Sequence, residues 1–259
     1  MKRIETSDYH PLYFLAALGA GGLTVTFFLY FLFLVPHPGT PMVTADDLLA
    51  LWRTGPEWLR PLLLLGVAGL LIMASLHLRL LVWNLVHYRR WRRSAFYERL
   101  RAGNKDVALM ALPLTLTMSI NVLFVVGSVM VPGLWDYAEY LFPGVLAVLL
   151  ALGVWALKLY GGYLTRLVTT GSFDFIGNAN LGQMMPIFAF AMIAVAFAAP
   201  GAMSQNQVVN AVGLFFAIFF LSLSALLGLV KLVVGVQAML RHGISEAAAP
   251  SLWILIPIL

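Results

Sequence analysis

The sequence has no cysteine, and only 10% of its 259 residues are charged, against about 25% in soluble domains. The first absence removes disulfides, thiolate nucleophiles, iron–sulfur ligation and thiolate zinc sites together. The second, with a mean hydropathy of +0.91, excludes a water-soluble fold. No aspartate or glutamate lies inside any long apolar run, so paired carboxylates for hydrolysis and a membrane-embedded acid for proton pumping are both missing. A cleavable signal is not expected either. Met1 to His10 carries Glu5 and Asp8, and the apolar run behind it is long enough to span a bilayer.

What is present is hydrophobicity, at 61% of residues, arranged in stretches that each supply the roughly 20 apolar residues a bilayer core of about 30 Å requires. We read one transmembrane domain over 1–259, all-α and polytopic. Six full spans are predicted at about 11–35, 61–87, 107–131, 140–163, 182–199 and 207–233, with the start of a seventh at 250–259. The seventh covers only about half of the hydrocarbon thickness at 1.5 Å per residue. A helix ending there leaves carbonyls without partners, so the expectation is a chain that continues, and the alternative is a short re-entrant tail covered by protein. Between the second and third spans, Tyr88 to Asp106 holds Arg89, Arg90, Arg92, Arg93, Arg99, Arg101 and Lys105. The positive-inside rule makes this loop cytoplasmic, and alternation from it makes the N-terminus cytoplasmic too. The net charge of +5 therefore reads as topology and contact with acidic membrane lipid, and no nucleic acid partner is expected.

The spans have a rhythm. Each one that starts at the cytoplasmic face carries a proline near its entrance: Pro11, Pro113, Pro186 and Pro250. Proline is tolerated in a first helical turn and kinks a helix further in. Each returning span carries one basic residue toward its cytoplasmic end: Arg79, Lys158 and Lys231. Pro113 to Lys158 and Pro186 to Lys231 are both 45 residues apart, which points to a repeated helical hairpin. The three basic side chains read either as stems snorkelling to headgroups or as an anion-attracting collar at an inner mouth. Parallel hairpins around an axis would turn the proline-entered helices inward. Gly19, Gly22 and Thr26 on the first, Thr115 and Ser119 on the third, and Pro186 and Phe190 on the fifth are then candidates to line a central pore. Small and hydroxylated residues also allow close helix packing, their commonest role in membranes, so both readings stand.

Other chemistry is set aside on geometry. His77 and His87 are ten residues apart, some 15 Å along a helix and about 80° apart in azimuth, so they cannot share one haem iron. No metal site and no cofactor is expected. Gly19-Ala-Gly-Gly22 is no nucleotide loop, because no strand precedes it and no Lys-Ser/Thr follows. Asp136 and Glu139 read as solvated, and Trp58, Trp83, Trp91 and Trp135 read as an interfacial belt.

Three stretches carry a family resemblance: Ala111-Leu-Pro-Leu-Thr-Leu-Thr-Met-Ser119, Thr170-Gly-Ser-Phe-Asp-Phe175, and Ala249-Pro-Ser-Leu-Trp-Ile-Leu-Ile-Pro257. Their order and spacing resemble the first six helices and the opening of the seventh in the tellurite-resistance/dicarboxylate transporter family, which includes TehA-like channels and plant slow-type anion channels. The resemblance implies a ring of helical hairpins around a central pore, a homo-oligomer with trimer as the family's frequent state, and small anions such as chloride, nitrate or C4-dicarboxylates as substrates. The chain departs from the family by stopping before the last two hairpins, so the family's occluding phenylalanine has no counterpart here. The expectation is thus a non-enzymatic anion channel or facilitative transporter of the cytoplasmic (inner) membrane. The alternative is a metal-free membrane-anchor subunit of a quinone-linked redox complex.

Overall fold

The structure, a computed structural model, describes residues 5–171, 181–244, 246 and 249–255. Among these residues there are helices and no strands. Six helices are long and apolar enough to cross a membrane, as expected for a multi-pass membrane protein. They are α1 (Phe14–Leu34), α3 (Leu59–Trp91), α5 (Ala111–Met130), α6 (Ala138–Thr170), α7 (Met185–Met203) and α8 (Gln207–His242), with the shorter α2 (Ala45–Thr54) and α4 (Ala95–Ala102) between them.

Two helix classes alternate along the chain. The proline-entered helices α1, α5 and α7 have 21, 20 and 19 residues, while the returning helices α3, α6 and α8 have 33, 33 and 36. In the most apolar stretch of α5 and of α7, 67% of residues are buried, against 22–28% in α3, α6 and α8. This makes α5 and α7 the core and the long helices the wall. α1, at 39%, packs on α3 and α5 and keeps one side open. α5 sits between α1 and α7, and the first and third hairpins, α1 with α3 and α7 with α8, pack closely along their length. The middle hairpin is looser, and α6 leans on α7 as well as on α5.

The long helices run past the predicted spans by up to nine residues because a helix meets its backbone hydrogen bonds internally, whether its side chains are apolar or charged. The predicted loop 36–60 contains α2, started by a capping box in which Thr44 and Asp47 satisfy each other's backbone N–H groups. Glu139, expected in solvent, instead accepts from Ser204 Oγ at 2.7 Å and from Gln205 N at 2.6 Å, pinning the turn between α7 and α8. Trp91 likewise leaves the expected interfacial belt, being 2% exposed beneath Tyr9, Tyr88 and Tyr97, whereas Trp58 is exposed. Ala249–Leu255 forms a short 3-10 turn, and 256–259, like Lys2, Arg3 and most of the Thr170–Phe175 motif, lies outside the described residues.

Candidate functional site

α1 presents one open face. Ala16, Gly19, Leu23 and Thr26, in line with Leu12 of the 3-10 turn Pro11–Tyr13 before the helix, recur at helical spacing and are all exposed. A Cβ added at Gly19 or at Gly22 would meet nothing within 4 Å, so the glycines leave room there and do not serve close packing. Thr26 Oγ1 donates to Gly22 O at 3.0 Å, so the hydroxyl is satisfied by its own helix and the face stays weakly polar and uncharged.

The other expected lining residues sit elsewhere. Thr115 is fully buried and its hydroxyl donates to Ala111 O at 2.8 Å and to Phe14 O at 3.2 Å, so it joins α5 to α1. Pro186 is buried at the start of α7. Phe190 is fully buried, its ring stacked on Phe220 and edge-on to Tyr160, which fixes it in the contact of α7 with α6 and α8. These three belong to helix interfaces, since all are buried within the bundle. Ser119 is half-buried and lies against α3. The expected set thus divides: Gly19, Gly22 and Thr26 share the open face of α1, and the remainder does not join them.

The basic candidates do not form one cluster. Arg79 and Lys158 are exposed on peripheral helices. Lys231 is half-buried on α8 with its ammonium 5.8 Å from the Tyr163 ring, and the Tyr163 hydroxyl donates to Gln183 Oε1.

His77 has a larger structural part than its sequence context indicates. It is fully buried where α1, α3 and α5 meet. Nδ1 donates to Ala17 O at 2.8 Å, a carbonyl that can only accept, and Nε2 lies 2.9 Å from Ser119 Oγ, which also donates to Thr115 O of its own helix at 3.0 Å. Gly21 makes the notch, since a Cβ there would fall 2.8 Å from Nδ1 and 2.5 Å from Met118. At the basic end, Asp106 is 4% exposed and pairs with Arg166 of α6, with Arg101 Nε 3.6 Å away. This cluster is absent from the sequence-based expectations. Its signal was an acid placed directly before an apolar span, a position that demands a cation.

A cavity of about 540 Å³ opens between α5 and α6, lined by Ile120, Leu123, Phe124, Trp135, Leu141 and Val145 among others. Gly144 at its wall has open space where a side chain would stand. Comparisons of the chain with protein-family models, with curated proteins and with solved structures find no match.

Proposed function

We propose that the chain conducts small anions, chloride- or nitrate-like ions or C4-dicarboxylates, through a cytoplasmic membrane, with the basic end on the cytoplasmic side. The observation that carries this reading is the open, uncharged face of α1, where Ala16, Gly19 and Thr26 leave room between larger apolar side chains, beside two largely buried proline-entered helices. Such a face carries no fixed charge that would trap a partly dehydrated anion, and helix dipoles supply a weak positive potential. The resemblance to the tellurite-resistance/dicarboxylate transporters supports the same reading and adds a homo-oligomer, in that family often a trimer. Purified chain in liposomes is expected to pass chloride, nitrate or malate above empty vesicles, and Gly19→Phe, which fills the open face, to cut that flux about tenfold. Leu221→Phe, on the exposed side of α8, serves as the control. Flux equal to that of empty vesicles, or a Gly19→Phe rate equal to wild type, would refute the proposal.

One observation favours a second reading, the metal-free quinone-linked anchor. The apolar cavity between α5 and α6 falls within the 300–1,000 Å³ of small-molecule sites and carries Trp135 and Phe124 against which a quinone ring would stack. Organic extraction of the purified chain separates the two: stoichiometric quinone favours the anchor, and its absence with anion flux favours the channel.

A further inference from the structure

The corner where α3 turns into α4 is a built cationic surface that neither the core nor anion passage accounts for. From Tyr88 to Gly103 the chain holds six arginines, no lysine and one acid, Glu98. A rule that only places positive charge beside a membrane would be met by either basic residue. Arginine alone provides a planar fork that binds phosphate oxygens two at a time.

The structure sorts these arginines into two groups. Arg101 is spent, together with Arg166 of α6, on the buried Asp106, with Arg101 Nη1 also donating to the Tyr97 hydroxyl at 3.4 Å. Arg89, Arg90, Arg92, Arg93 and Arg99 are all exposed. Around the end of α3, Arg89, Arg90 and Arg92 fan over one side at 100° per residue, while Trp91 points to the other and is buried. The corner is also fixed in shape. Trp91 packs edge-on against Tyr97 with centroids 5.4 Å apart, Ser94 N donates to Trp91 O at 3.0 Å, and Arg92 N donates to Tyr88 O at 2.8 Å. On α4, Phe96 is exposed with the Arg99 guanidinium 5.2 Å over its ring, an aromatic and a cation at the level where membrane interfaces collect both. α3 is about 50 Å long at 1.5 Å per residue, longer than the hydrocarbon core of about 30 Å, so its basic end emerges among headgroups.

We infer that this corner binds the phosphate of anionic phospholipid in the leaflet at the basic end, with Arg89, Arg90, Arg92 and Arg93 as the fork donors and Phe96 and Arg99 seating α4 on the surface. The complementarity is direct: five exposed guanidiniums face a layer of phosphodiesters, and the one nearby acid, Glu98, leaves most of their charge uncompensated. The inference depends on the chain crossing a membrane and does not depend on what it conducts.

The test uses the full chain in nanodiscs of phosphatidylcholine with phosphatidylglycerol, counting lipids retained after detergent exchange by native mass spectrometry at physiological salt. Wild type is expected to retain phosphatidylglycerol over phosphatidylcholine about tenfold. Replacing Arg89, Arg90, Arg92 and Arg93 together by lysine keeps the charge and removes the fork, and is expected to abolish most of that preference while leaving the melting temperature unchanged, since all four side chains are exposed. Replacement by glutamine is expected to abolish all of it. A lysine variant that retains phosphatidylglycerol as wild type does, or a wild type without preference, overturns the inference. So does displacement of the lipid by millimolar inorganic phosphate or by RNA, which would make the corner a site for a soluble partner.

Discussion

His77 ties three helices together with two hydrogen bonds. Its ring donates to Ala17 O and hydrogen-bonds Ser119 Oγ inside an apolar core, where an unmatched polar atom is costly. His77→Leu removes both bonds and leaves Ser119 without its partner on α3, so it is expected to lower stability by about 1–3 kcal/mol. Unfolding in detergent followed by tryptophan fluorescence reads this directly, and an unchanged midpoint would mean the contact contributes nothing. Tyr9 shows the same economy outside the membrane, its hydroxyl lying 3.3 Å from Asn84 Oδ1 as donor. Burial and the nearby Tyr88 push the phenol above its ordinary range, so this proton stays in place as pH rises through the range where tyrosines usually ionise. The sequence displayed both residues, yet it could not show what they bonded, because the partners are 60 and 75 positions away.

At the scale of helices, the contact of α7 with α8 rests on glycine. A Cβ on Gly213 would fall 2.6 Å from Gly201 Cα and one on Gly201 would fall 2.7 Å from Leu214 N, so both backbones occupy the space a methyl would need. Backbone cannot move aside as a flexible side chain can. Gly213→Ala is therefore expected to cost about 1–3 kcal/mol by forcing the helices apart, whereas Gly144→Ala, with open space around it, should stay within about 0.5 kcal/mol of wild type. Equal melting temperatures for the two variants would contradict the close approach. The six spans and their entrance prolines were legible because each is a run of apolar residues with a local stop. α2 was equally legible in Thr44 and Asp47 three positions apart, a cap that the apolar scan passed over.

For the whole molecule, the arrangement separates a buried pair of central helices from a wall of long ones and leaves one side of α1 uncovered. Arg79, Lys158 and Lys231 all lie on the wall, two of them exposed, which matches stems reaching for headgroups better than a collar. Replacing the three together by glutamine is expected to leave the anion-over-cation ratio in reconstituted flux unchanged. A fall in that ratio would return them to the conduction path. The candidate lining residues were only partly legible for the same reason: a threonine that packs and a threonine that faces open space look alike until the neighbouring helix is in place. Thr115 and Thr26 are the example, both donating to a carbonyl of their own helix, one sealed beneath α1 and the other exposed.

By itself the sequence determined the membrane class, the six long apolar helices and the alternation of proline-entered helices with returning ones. These follow from hydropathy and backbone chemistry, which act on each segment separately. Only the tertiary structure decided that His77 is a tie between three helices, that Asp106 holds two arginines, that Phe190 is core and that the side of α1 bearing Gly19 stays open. Those outcomes depend on which helix faces which, and in an apolar medium, where burying carbon against carbon or against lipid is nearly equivalent, the choice falls to shape and to a few hydrogen bonds between residues distant in the chain.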